Sequence, residues 1–272
     1  MEWLDALILG LVQGLTEYLP VSSSGHLEIF REILGIDIPQ DDILVFDIIV
    51  HAATVCSTIV ILWSMFADLC KSFFTFRMDN NFYYVCKILV SCIPIGIVGV
   101  CFKDTVESFF GSGLTVVGIC LLITAALLTF AHYSDTIYGR LLPARAGRDI
   151  TWLDAIIIGC AQSLAVLPGL SRSGTTIATG ILIGDKRDKV ATFSFLMVII
   201  PILGECLLDV KDMLETPASN SISPLCLCIG FVTAFLSGCF ACKWMLSLVK
   251  RGKLVWFAIY CVIIGIICLL WR

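Results

Sequence analysis

The sequence predicts an all-α polytopic membrane protein, on three observations. The composition is too apolar for a water-facing surface. Six apolar runs are long enough to cross a bilayer. Two further apolar regions are interrupted midway by Pro, Gly and Ser. Of 272 residues, 58% are hydrophobic and 15% charged, where a soluble domain carries about 25% charged residues. The mean hydropathy is +0.97. The net charge of -4 offers no basic surface for nucleic acid. There is no Lys or Arg before Arg31, so the first helix lacks the basic lead of a signal peptide and is expected to be retained.

In chain order, the first interrupted region covers 3–34. Full spans follow at 46–66, 82–102 and 114–132. The second interrupted region covers 152–184, with spans at 190–208, 224–245 and 254–271. A span needs roughly 20 residues. Each half of an interrupted region is shorter, so each region reads as helix, break and helix. Such a break is tolerated at membrane depth only inside protein or beside a watery cavity. The 14 Cys lie mostly within apolar runs, and Cys226-x-Cys228 and Cys239-x-x-Cys242 lack a second pair at zinc spacing. They read as small hydrophobes.

The two interrupted regions are copies. At an offset of 149, 11 of the 23 positions from 3 to 25 are identical. Trp3-Leu-Asp-Ala6 matches Trp152-Leu-Asp-Ala155, Gln13 matches Gln162, and Ser22, Ser24 and Gly25 match Ser171, Ser173 and Gly174. The chain is expected to be one membrane domain, 1–272, of two repeats, 1–133 and 151–272. If each interrupted region is a re-entrant hairpin, each repeat crosses the membrane three times and the second is inverted, an arrangement typical of transporters. One face then holds 12 Lys/Arg and the other four: Arg31, Lys103, Lys211 and Arg272. The basic face, with Arg140, Arg145, Arg148, Lys186, Arg187 and Lys189, is expected to be cytoplasmic. The first break opens outward, the second inward.

The chemistry concentrates in the breaks. Glu17 and His26 are ionisable groups in an apolar region and are expected to face an interior site. Ser22, Ser23 and Ser24, before Gly25, open a helix whose free N–H groups and hydroxyls suit an anion. Ser23 beside His26 is the minimum for an activated nucleophile, with Glu17 orienting the imidazole or binding a cation. Read alone, the serines would be only a helix cap and the histidine a structural hydrogen bonder. The second copy adds Arg172, whose planar fork suits phosphate, among Ser171, Ser173, Gly174 and Thr175. Gln13 and Gln162 are expected to bond between helices. Asp47 and His51, at i and i+4, either line the same cavity or form an interfacial pair. Thr151-x-x-Asp154 resembles a capping box.

At these residues the chain resembles the undecaprenyl-pyrophosphate phosphatases, also called bacitracin-resistance proteins. Gln13-x-x-x-Glu17 with Leu19-Pro-Val-Ser-Ser-Ser-Gly-His26 is similar to their first signature, and Pro168-Gly-x-Ser-Arg-Ser-Gly174 to their second. The resemblance implies hydrolysis of undecaprenyl pyrophosphate to undecaprenyl phosphate and inorganic phosphate. This recycles the lipid carrier of envelope polysaccharides in a bacterial plasma membrane and confers bacitracin resistance. It places the family's catalytic Glu, His and Arg at Glu17, His26 and Arg172 and its candidate Ser at Ser23. Around them Ser22, Ser24, Gly25, Ser171, Ser173, Gly174, Thr175 and Gln13 are expected to bind substrate. It implies a divalent cation, usually magnesium, near Glu17. Many members carry Glu where this chain has Gln13, which leaves Glu17 as the principal acid. The nucleophile stays open among Ser23, His26 and water. A transporter or flippase of a lipid phosphate or other anion on the same inverted-repeat scaffold is the competing reading. A monomer and a homodimer are both compatible with the sequence.

Overall fold

The first interrupted region folds as helix α1 (Trp3–Tyr18), a break, and helix α2 (Ser23–Leu34). Helix α1 begins where the Asp5 carboxylate accepts from the Glu2 N–H at 2.7 Å. It stops ahead of Pro20: Leu19 is extended, with ψ 141°, because a proline disfavours the helical region for its predecessor. The computed structural model describes residues 1–36, 38–102, 105, 113–141, 147–215 and 222–271. Lys103, Arg145 and Arg272, counted in the charge pattern above, lie outside them.

The second copy repeats the plan as α7 (Trp152–Leu164), a break, and α8 (Arg172–Leu182). The Thr151–Asp154 capping box is formed: Thr151 Oγ1 accepts from the Asp154 N–H, and Asp154 Oδ2 accepts from the Thr151 N–H at 2.8 Å. Asp5 and Asp154 therefore do the same job at matched positions, which explains the shared Trp-Leu-Asp-Ala opening.

Between and after the hairpins run α3 (Gln40–Ile61), α4 (Trp63–Phe74), α5 (Asn80–Cys101) and α6 (Leu114–Leu141), then α9 (Arg187–Met197), α10 (Ile199–Glu215), α11 (Pro224–Lys250) and α12 (Val255–Leu270). The regular secondary structure of the described residues is all helical apart from one isolated bridge between Arg148 and Asp185. Five helical segments are long and apolar enough to cross a membrane: 42–61, 80–101, 114–134, 187–208 and 224–250. The chain is a multi-pass membrane protein. The expected run at 254–271 forms a shorter apolar helix, Val255–Leu270. The stretch after the first span, expected as a loop, contains α4. The run at 190–208 is broken at Val198, three residues before Pro201, which sits in the first turn of the next helix, where a proline is tolerated. All fourteen cysteines are free, as their positions in apolar runs imply.

The packing is reciprocal. Helix α1 lies against α11, and α7 lies against α5, which sits 149 residues before the body of α11. Both contacts are backbone-close. A Cβ added to Gly10 would lie 2.6 Å from Gly230 O, and one added to the matched Gly159 would lie 2.2 Å from Ser91 O. Small residues at such crossings allow helices to approach in lipid. The breaks meet in the same reciprocal way. A Cβ on Gly25 would be 3.0 Å from Gly169 Cα, and one on Gly174 would be 3.1 Å from Pro20 Cβ. Gly169 stands 149 residues after Pro20, so these are one contact made twice.

Candidate active site

Each break ends in the same capping turn. Ser22 Oγ accepts from the Gly25 N–H at 3.3 Å, and Ser171 Oγ accepts from the Gly174 N–H at 3.0 Å. In both, the cap hydroxyl also lies 3.3 Å from the hydroxyl two residues on, Ser24 or Ser173. One difference is conformational. Ser22 has φ 70°, a region that non-glycine residues rarely occupy, whereas Ser171 has φ -69°. Such backbone strain persists where the surroundings over-determine it and concentrates at functional sites. Ser173 Oγ donates across the junction to Leu19 O at 3.2 Å, so the breaks share a hydrogen bond as well as van der Waals contact.

The matched turns differ in what they present. Ser23 Oγ donates to Glu17 Oε2 at 2.6 Å. Gln13 Nε2 donates to the same oxygen at 3.0 Å from one turn earlier on α1. Arg172, matched to Ser23, brings its guanidinium to 3.8 Å from Glu17 Oε1. The Glu17 carboxylate is thus held between hydrogen-bond donors on one oxygen and a cation on the other. That arrangement keeps a charge tolerable at depth. The side chains of Glu17 and Arg172 are 7% and 18% exposed, so both are sheltered and still reachable.

Two groups outside the breaks join the cluster. His51 Nε2 stands 3.9 Å from Glu17 Oε2, while its Nδ1 is 2.8 Å from Asp47 O. Of the expected Asp47–His51 pair, only His51 reaches the site; Asp47 pairs with Arg31 at the rim. On the far side of Arg172, Glu205 of α10 approaches Nη1 to 3.5 Å. Glu205 went unremarked in the sequence, although a carboxylate inside a candidate span is itself a signal of function.

His26 does not turn toward Ser23. Its Nδ1 is 2.8 Å from Ser22 O and its Nε2 2.7 Å from the Tyr260 hydroxyl, and the residue is buried. No sequence signal pointed to Tyr260, which lies 234 residues away. The glutamines differ from the expected interhelical pair as well. Gln13 bonds within its own helix, and Gln162 finds no partner among the described residues. Thr175 is buried with its hydroxyl unpartnered among the same residues. Below the cluster, Glu17, Gln162, Arg172, Ser173, Thr176 and Ser194 line one cavity.

A buried carboxylate hydrogen-bonded to a serine hydroxyl, faced by an arginine and two helix N-termini, is equipped for phosphoryl chemistry. The arginine and N-termini neutralise phosphate, and the carboxylate can take the hydroxyl proton. Residues 6–267 match the family described as bacitracin resistance protein BacA. The chain belongs to that family. Among BacA-type relatives it is similar to an undecaprenyl-diphosphatase of Bacteroides fragilis, 56% identical over 98% of this chain and 97% of the relative. It is also similar to one of Bacteroides thetaiotaomicron, 57% identical over 98% and 97%, and to one of Oceanobacillus iheyensis, 38% identical over 97% and 94%. The similarity to these BacA-type proteins extends over both breaks and every helix of the chain.

Proposed function

We propose that this chain hydrolyses undecaprenyl pyrophosphate to undecaprenyl phosphate and inorganic phosphate, and so recycles the lipid carrier for peptidoglycan and other envelope polysaccharides and confers resistance to bacitracin. The observation that carries the proposal is the 2.6 Å hydrogen bond from Ser23 to a carboxylate that faces Arg172. The full-length match to relatives named undecaprenyl-diphosphatase supports it.

In this reading the terminal phosphate sits between Arg172 and the N–H groups that open α2 and α8. Ser23, Ser24, Ser173 and Thr175 add hydroxyls. Ser23 Oγ attacks the terminal phosphorus and passes its proton to Glu17. The bridging P–O bond breaks, and the departing lipid phosphate carries that proton away, which returns Glu17 to its carboxylate. Water then cleaves the phosphoserine, and Glu17 carries a proton from that water to Oγ. Arg172 neutralises charge in both steps. His26, bonded to Ser22 O and Tyr260, holds the strained cap that aims Ser23. His51 stands beside Glu17 as a second proton carrier.

Magnesium fits as a substrate-completed ion. Among the described residues there is no group of three or more His, Cys, Asp or Glu able to hold a metal. Magnesium is commonly held by one or two carboxylates plus substrate phosphates; Glu17 is the carboxylate expected to hold it, and Glu205 stands on the other side of Arg172. When bound, the ion would neutralise phosphate charge.

The topology belongs to the same proposal. Both hairpins are re-entrant and six segments cross the bilayer, with α12 the shortest. The basic ends of α9 and α11 lie in the cytoplasm. The first break opens to the outer face of a bacterial plasma membrane. The reciprocal packing of α1 on α11 and α7 on α5 supports the inverted repeat.

The test is phosphate release by the purified protein in detergent from a polyprenyl pyrophosphate, with and without a chelator. Hydrolysis needs no compartments and transport does. Release that Glu17→Ala abolishes establishes the enzyme. No release with any prenyl chain length would favour a lipid-phosphate transporter.

A further inference from the structure

Gln162 is 1% exposed, and neither its Nε2 nor its Oε1 meets a hydrogen-bond partner among the described residues. Leaving a buried amide unpaired is costly, and folded proteins rarely do it. The matched residue, Gln13, spends its Nε2 on Glu17. Gln162 instead borders the cavity shared with Glu17, Arg172, Ser173, Thr176 and Ser194.

The chemistry of the amide restricts what can complete it. Oε1 needs a donor and Nε2 an acceptor. A fully ionised phosphate offers acceptors alone, whereas water offers both. The free space in the cavity is about 10 Å³, close to that of one water molecule. Glu17, the proton acceptor of the proposed reaction, borders the same space.

We propose that Gln162 positions the water that attacks the phosphoryl group; this rests on the phosphatase reading above. The water oxygen forms a bond to phosphorus as the bond from phosphorus to Ser23 Oγ breaks. Glu17 takes one proton from the water and returns it to Oγ, and inorganic phosphate leaves. Gln162 Oε1 accepts from the water's other hydrogen, and Nε2 donates to a phosphoryl oxygen. The second copy of the duplicated helix thereby supplies the co-substrate, as the first supplies the base.

Methanol competition tests this in the purified, detergent-solubilised protein. Wild type and Gln162→Leu are given a polyprenyl pyrophosphate in buffer containing methanol, and methyl phosphate is measured against inorganic phosphate. A displaced nucleophile costs roughly 10²-fold in rate. The expected result for Gln162→Leu is a kcat lower by about that factor, an unchanged KM and a larger share of methyl phosphate. Gln162→Asn keeps the amide but withdraws it, and should shift kcat and the methanol share in the same direction, which guards against misfolding of the leucine variant. A rise in KM with unchanged partition would assign Gln162 to phosphate binding, and wild-type kcat and partition in both variants would assign it to neither; each overturns the proposal. Failure of the wild type to release phosphate would instead overturn the phosphatase reading itself.

Discussion

The two breaks share a backbone and divide the chemistry. Ser22–Gly25 and Ser171–Gly174 make the same cap hydrogen bonds, the same paired hydroxyls and the same contact across the junction. They differ where the sequences diverge. The first presents Ser23 to Glu17; the second presents Arg172, and Val166 stands where Glu17 would be. The first is strained at Ser22, the second is not. The second hairpin is also pinned at its base, where Arg148 reaches Asp154 at 2.6 Å and Asp185 at 3.6 Å. The matched position in the first copy is Ile36, which can make no such pair. The difference teaches that duplication kept the capping turn while two side chains diverged; in the proposed function that divergence makes one copy the reacting half and the other the clamp.

If the reacting half is the first break, Glu17→Gln has the largest effect. It keeps the shape and a hydrogen-bond acceptor for Ser23 but removes the base, so kcat should fall about 10²–10⁴-fold with KM little changed. Retention of kcat would dissolve the division of labour. Arg172→Lys tests the clamp. A point charge does not replace a planar fork, and a charge-assisted hydrogen bond is worth about 1.5–3 kcal/mol. A fall of roughly 10–100-fold in kcat/KM is expected, most of it in KM for the pyrophosphate. Near-normal turnover at low substrate would count against a bidentate role.

The shared scaffold predicts equality. Ser22→Ala and Ser171→Ala each delete an N-cap, at a cost of about 1 kcal/mol. Thermal unfolding in detergent should show similar losses. A much larger loss for one would mean that the turns are not equivalent supports.

The smallest effect concerns the base of the second hairpin. Burial, reinforced by the neighbouring Asp154 carboxylate and opposed by Arg148, pushes the Asp185 carboxyl up to about 7. A raised carboxyl favours the folded state most below the ordinary aspartate value of 3.8, and that contribution is lost as pH rises through 7. Asp185→Asn should therefore gain melting temperature over wild type at pH 8 more than at pH 5. An equal difference at both values would mean that Asp185 does not change its ionisation on folding.

Much of this was legible in the sequence because charges in apolar segments stand out. Glu17, Arg172 and the two serine turns needed only local reading and the 149-residue offset. The helix boundaries at the breaks follow from Pro20, the serine caps and Asp154. The break at Val198 had its signal in Pro201, and Glu205 had its signal in lying within a span. Other features were not legible. His26 and Ser23 lie three residues apart, which suggested a shared face, but the direction of the imidazole is set by Tyr260, 234 residues on. His51 reaches Glu17 from a different helix. Gln13 and Gln162 match in sequence yet meet different surroundings, one beside a carboxylate and the other at a cavity. Orientation across helices depends on packing that no local pattern encodes.

The central claim, that the first break reacts and the second holds, is tested most directly by mapping the transferred phosphate. The purified protein would be mixed with a polyprenyl pyrophosphate labelled in the terminal phosphate, quenched with acid within the first turnover and with base in parallel, and the label located by peptide mass. The account predicts acid-stable label on Ser23, absent in Glu17→Gln. Base-stable label on His26, or full turnover with no labelled residue, would contradict it.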